Sequence, residues 1–301
     1  MHAERYGKDL LGVPIGSSRF IEKWLDAKLL SLKKEAEIIL TFPDKQAQFI
    51  FLRLVLCNKI NHIIRGLYPS ETKKFVNEFQ LLIKRTFCDI MDLKEISDVQ
   101  WLQVCVSCDG GGFGLPQFAD IADCAFLASF LSCWEACHTD LENYPLLMQS
   151  TDSHKSLNEM KAAVNRFALV DDGLLQKLNI CNEEGEILWD TMHEQGYEKR
   201  LKFQAELADV WNTHHKLNLR AASSNIKNST RINSAATSES GAFLRVCCLS
   251  STRKMSNNQF IVACYMRLGL PLHITEGLLN CDCKKEIEID KNGEHFFACP
   301  K

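Results

Sequence analysis

The chain has 301 residues, 46% of them hydrophobic, and a net charge of −3, which is enough apolar material for one large or two modest folded cores. No basic leader with an apolar segment behind it opens the chain, and no apolar run reaches the roughly 18 residues that span a bilayer. The expectation is therefore an intracellular protein, nuclear or cytoplasmic, with no membrane partner. Fourteen cysteines are too sparse and irregular for a disulfide scaffold, so buried thiols and one metal cluster are expected instead. Charge is uneven: residues 1–100 carry 16 basic and 13 acidic side chains, 101–197 carry 4 and 15, and 198–301 carry 15 and 10. The acidic middle repels a phosphate backbone, whereas either flank can meet one.

The segment Leu11-Gly12-Val13-Pro14-Ile15-Gly16-Ser17 is apolar, bracketed by glycines and interrupted by proline, which predicts an edge strand or tight hairpin. Ser17 or Ser18 can cap the helix that follows. Phe20, Trp24, Leu25, Leu29, Leu32, Ala36 and Ile39 form its apolar stripe. Thr41-Phe42-Pro43-Asp44 stops that helix and caps a second, from Lys45 to about Gly66. The second is apolar almost all round, so other elements must bury it. A third helix starts at Pro69 and runs from Phe75 to Cys88. It carries Lys73, Lys74, Lys84 and Arg85, which can track a nucleic-acid backbone or form an ordinary solvated face.

The rest of the chain is organised around residues 101–129. Trp101-Leu102-Gln103 leads into Gly110-Gly111-Gly112-Phe113-Gly114-Leu115-Pro116, where four of the fifteen glycines fall within five residues. That predicts a tight, buried corner feeding the apolar helix from Ala122 to Leu131. Further on, Leu157–Val170 and Leu174–Leu178 read as short helices, with Asp171 or Asp172 as a cap. Glu198–Ala222 reads as a longer helix. Its stripe of Phe203, Leu207, Val210, His214 and Leu217 is a seam for another helix, from a partner or a second copy, with His214 packed in it. Ser223–Ser240, rich in Ser, Asn and Thr, reads as a flexible linker exposing Lys227 and Arg231. Cys105 and Cys108 have redox-type spacing but are expected to be buried thiols.

Five fragments carry a resemblance in order and spacing: Leu11–Gly16, Asp44–Ala47, Asn61–Arg65, Trp101–Gln103 with Gly111–Leu115, and Ala125–Ser129. Together they resemble eukaryotic reverse-transcriptase-like proteins of mobile elements, in the region after the catalytic palm. The resemblance implies that the leucine-glycine segment with Gly12 and Gly16 is a primer-grip hairpin. It also implies that the helices behind it, with Arg65, Lys73, Lys74, Lys84 and Arg85, are a thumb that holds an RNA/DNA duplex. The paired catalytic carboxylates of such a polymerase would lie upstream of Leu11, where only ten residues stand. The dipeptide Asp171-Asp172 lies on the wrong side and lacks the aromatic of the family's turn. No residue is assigned a catalytic role, and the chain is expected to be a truncated, non-catalytic remnant of its parent polymerase.

Near the C-terminus, Gly241–Leu244, Ser256–Tyr265 and Arg267–Pro271 resemble the same family's segment ahead of its metal cluster. Cys281, Cys283, His295 and Cys299 form a Cys₃His set suited to structural Zn²⁺, with Asn292-Gly293 as the return turn. The expected architecture is mainly α. Residues 1–17 end a palm and 18–143 form a thumb-like helical domain. A helical extension covers 144–222, a linker 223–240, and a C-terminal zinc-binding unit 241–301. The expected function is primer-template binding. The alternative is a helical protein-interaction module, domesticated or decayed, using 201–219.

Overall fold

A computed structural model describes residues 6–143, 151–171, 203–223, 225–237, 239–246, 254–272 and the single positions 281, 283, 292 and 299. The fold is mainly helical, as the periodicity predicts. An antiparallel hairpin, β1 (Gly7–Leu10) and β2 (Val13–Gly16), precedes α1 (Ser18–Leu40). Then come α2 (Lys45–Phe51), a π-helical turn over Leu52–Leu56, a 3₁₀ turn over Cys57–Ile60, and α3 (Asn61–Gly66). Next are α4 (Pro69–Ile90), α5 (Asp98–Cys105), α6 (Phe118–Asn143) and α7 (Thr151–Ala168). The last three are α8 (Phe203–Ala222), α9 (Ile226–Ala235) and α10 (Asn257–Leu268).

The chain divides into two compact units, each discontinuous in sequence. The first comprises 1–36, 56–83 and 116–214, and the second 37–55, 84–115 and 215–301. The units therefore interleave along the chain, where the sequence led us to expect consecutive segments.

In the first unit α6 packs on α3 and α7. Its apolar cluster joins Phe126, Leu127 and Leu131 to Met160, Val164, Phe167, Phe203 and Leu207. At its edge Arg166 donates to both oxygens of Asp123, at 2.7 Å each, the bidentate geometry that suits a planar guanidinium. The stripe expected on α8 starts correctly with Phe203 and Leu207, both buried. It then turns, because the residues buried next are His215 and Leu219, while Leu217 is 58% exposed. A strict four-residue step selects His215 and Leu219, and alternating steps of three and four would have selected His214 and Leu217.

The second unit is built around Phe49 of α2. Its ring meets Phe87, Phe113 and Phe260 at centroid distances of 6.4, 5.9 and 6.1 Å. Two of these contacts are edge-to-face, the arrangement the ring quadrupole favours. Asp44 caps α2 by accepting from the Ala47 N–H at 2.9 Å, as predicted. Both α5 and α10 start in capping boxes, Ser97 with Gln100 and Ser256 with Gln259. The stretch 223–240, expected as a linker, carries α9 instead. Asn225 caps that helix through Lys227 N, and Ile232 and Ala235 are buried. Two apolar contacts and a cap outweigh the low intrinsic helix preference of Ser, Asn and Thr.

The Asp44 cap yields a pH prediction. Burial raises its carboxyl pKa, but the Ala47 N–H and the Lys254 ammonium lower it further, so the net pKa lies below the ordinary 3.8. A lowered carboxylate stabilises the fold fully above its unfolded value and loses that contribution as pH falls through the folded value. Asp44→Ala should cost about 1 kcal/mol near neutrality. Urea midpoints of the wild type and the variant should converge below about pH 3.8.

Candidate functional site

Two regions hold residues singled out in the sequence. In the first unit, β1 and β2 pair with Leu10 opposite Val13, leaving Leu11 and Gly12 as a two-residue turn at φ +53° and +81°. Asp9 braces this turn by accepting from Gly12 N at 2.8 Å and from the Trp24 indole of α1 at 2.9 Å. Gly16 is obligatory: its φ is +151°, and a Cβ there would lie 2.3 Å from the Tyr6 carbonyl oxygen. The hairpin rests on α3, with Gly12 facing His62 and Val13 against Gly66. Its tip stands in solvent, with Leu11 94% exposed. A leucine at positive φ is strained, and here it presents an apolar side chain outward. Arg65, exposed on α3, donates to Gln204 of α8 at 3.0 Å. Three of the five resemblance fragments, Leu11–Gly16, Asn61–Arg65 and Ala125–Ser129, thus belong to one compact unit.

The four cations of α4 are not equivalent. Lys73 and Lys74 belong to the first unit, and Lys84 and Arg85 to the second. Lys73 is exposed at the edge of a groove of about 550 Å³ that Ser70, Asp123, Glu159, Arg166 and Trp211 also line. Lys74 lies 3.5 Å from Asp26 and 3.4 Å from Glu22. Asp26, foremost, and Glu22 raise its pKa. Lys84 sits over the Trp101 ring at 5.7 Å and pairs with Asp98 at 3.6 Å. Arg85 is exposed.

The second unit gathers the remaining fragments, and their polar side chains bind buried backbone. Gln46 of α2 donates to Phe243 O at 2.8 Å and accepts from Met255 N at 3.3 Å. Gln103 of α5 donates to Gly111 O at 2.9 Å and Arg267 O at 2.8 Å, and accepts from Arg231 at 3.0 Å. Arg267 of α10, 5% exposed, donates to Cys108 O at 2.7 Å, Gly112 O at 3.0 Å and Ser240 O at 3.2 Å. Arg231 also donates to the Arg267 carbonyl. Burial, first of all, lowers the pKa of both arginines. Gly112 has no alternative, since a Cβ there would lie 2.0 Å from Val106 O. These residues hold the glycine corner to α10. Arg231, expected to be exposed on a linker, is half-buried within this network. Sequence reasoning did not assign a role to Gln46, Gln103 or Arg267. For Gln103 the available signal was an uncharged amide between Leu102 and Val104, which must find a buried partner.

Cys105 and Cys108 are buried, and the Cys108 thiol points at the Phe113 carbonyl at 3.5 Å, so both are packing residues as expected. The Sγ atoms of Cys281, Cys283 and Cys299 lie within 4.8 Å of one another. Cys283 is 2% exposed, and Cys281 and Cys299 are half-buried with their sulfurs 3.6 Å apart. Two thiolates on one tetrahedral ion at 2.3 Å each would be separated by about 3.8 Å, so the donors fit a metal ion. Asn292 lies in a turn between them. His295, the fourth expected ligand, lies outside the described residues, as do Leu174–Leu178. Among the described residues no helix is long and apolar enough to cross a membrane. Compared with known proteins, the chain matches no family model, no curated protein and no solved structure.

Proposed function

We propose that the chain binds an RNA/DNA duplex without chemistry of its own, in the manner of a polymerase thumb and primer grip. The observation that carries the reading is the Leu11–Gly12 hairpin. It is a strained turn, braced by Asp9 on Trp24 and docked on α3 beside Arg65, that holds an exposed apolar tip outward. Such a tip suits a sugar or base edge at a duplex end, and Arg65 on the helix beneath it suits the backbone. The basic excess of residues 1–100 supports the same partner.

The cations of α4 make the reading testable by rank. Lys73 and Arg85 are exposed, while Lys74 and Lys84 already have carboxylate neighbours. Lys73→Glu and Arg85→Glu should each weaken duplex binding about threefold to tenfold and reduce the salt slope by about 1. Lys74→Gln and Lys84→Gln should have smaller effects. Fluorescence anisotropy on a labelled RNA/DNA hybrid reads both quantities, and equal, negligible effects in all four variants would sink the assignment.

For the thiol cluster we propose structural Zn²⁺ held by Cys281, Cys283 and Cys299, with His295 as the fourth donor. A closed set of this kind contributes folding free energy to a segment too short for its own core. A second reading, a protein-interaction module, draws on the exposed apolar residues Phe42, Phe51, Leu54 and Val55 of the second unit, where the two phenyl rings lie 4.9 Å apart. Concentration-dependent self-association abolished by Phe51→Asp, with duplex affinity unchanged, would favour it.

A further inference from the structure

The thiol cluster has a built-in asymmetry. Cys283 is 2% exposed, whereas Cys281 and Cys299 are both reachable by solvent and their sulfurs lie 3.6 Å apart. Resting on the metal reading above, we propose that Cys281 and Cys299 are a peroxide-sensitive pair whose oxidation to a disulfide releases the metal.

Geometry selects this pair over the alternatives. A Cys281–Cys283 bridge would close a three-residue ring and require the buried sulfur to turn outward. The Cys281–Cys299 bridge needs only an approach from 3.6 Å to the disulfide length of about 2.05 Å. The other described thiols offer little competition. Cys57, Cys88, Cys105, Cys108, Cys124 and Cys264 are buried, and Cys133 is exposed, its products being told apart by peptide mapping. Burial pushes the Cys88, Cys124 and Cys264 thiols up.

The step balances with hydrogen peroxide as the oxidant. One thiolate of the pair attacks a peroxide oxygen; an S–O bond forms as the O–O bond breaks, and hydroxide leaves to be protonated to water. The other thiolate attacks the sulfenic sulfur; the S–S bond forms, the S–O bond breaks, and a second hydroxide leaves as water. Two thiolates, one peroxide and two protons give one disulfide and two waters. Each sulfur loses one electron and each peroxide oxygen gains one. With two of its donors joined to each other, the remaining ligand set cannot hold the ion, and Cys283 is reprotonated.

The test uses the full chain loaded with Zn²⁺. Zinc uptake by the reduced protein is measured first, by itself, and no stoichiometric uptake would overturn the metal reading. Hydrogen peroxide is then added, with a metallochromic indicator following free zinc and peptide mapping under non-reducing conditions locating any bridge. The expected result is one equivalent of zinc released together with a Cys281–Cys299 linked peptide two hydrogens lighter, both reversed by dithiothreitol. Cys283→Ser should still form the link, and Cys281→Ser should not. Zinc release with a Cys281–Cys283 link or with sulfinic acids overturns the proposal, and so does a Cys281–Cys299 link that leaves the zinc bound. If the chain takes up no zinc, the mapping decides the thiol pair independently of the metal.

Discussion

Arg267→Ala should destabilise the protein by about 3–5 kcal/mol, because it removes a buried charge whose bonds no other side chain can replace. The buried Gly112 carbonyl and the half-buried Ser240 carbonyl would lose this donor, and the Cys108 carbonyl would keep only the Gly111 N–H. The loss falls on the junction between the glycine corner and α10, so it should disrupt the second unit first. Arg267→Lys should recover less than half of the stability, since a single ammonium cannot reach three diverging acceptors. Urea denaturation followed by circular dichroism reads this directly. A loss below about 1 kcal/mol would show that the carbonyls find other partners and that the network is dispensable.

Phe49→Ala should cost about 3–5 kcal/mol, by a different mechanism. The Phe49 ring is fully buried and touches three other rings from three segments, α4, the glycine corner and α10. Truncation leaves a cavity that these rings cannot fill without abandoning their edge-to-face contacts. Phe49→Leu, which keeps most of the volume, should cost clearly less. A comparable loss in both variants would mean that ring geometry, rather than the space filled, sets the stability.

Local signals made much of the architecture legible. The glycines and proline of residues 11–17 marked the hairpin, Asp44 marked the cap of α2, and the glycine cluster at 110–114 marked a buried corner. The stretch Lys45–Gly66 was recognised as a helical run, but it was expected to be buried almost all round, and Phe51, Leu54 and Val55 are exposed; a π turn and a 3₁₀ turn also interrupt it. Side-chain period alone does not reveal such changes in backbone hydrogen bonding. The linker was misread because composition reports intrinsic preference, and α9 is held by tertiary contacts of Ile232 and Ala235. The stripe on α8 was misplaced in its second half, by one residue at His215 and by two at Leu219. Arg267 was invisible as a structural anchor because its acceptors lie up to 159 residues away in sequence.

Spacing made the thiol cluster legible, since three of the four residues singled out converge. The cations of α4 show the opposite case. A helix places charges in register, but only tertiary structure decides which meet a carboxylate, as Lys74 and Lys84 do.

The central claim, duplex binding, is tested most directly by titrating the full chain against a labelled RNA/DNA hybrid from about 50 to 200 mM salt. The account predicts measurable binding at low salt and an affinity that falls linearly on a log–log plot, with a slope reporting several displaced counterions. A flat response, or no binding at the lowest salt, would contradict it and leave the interaction-module reading in its place.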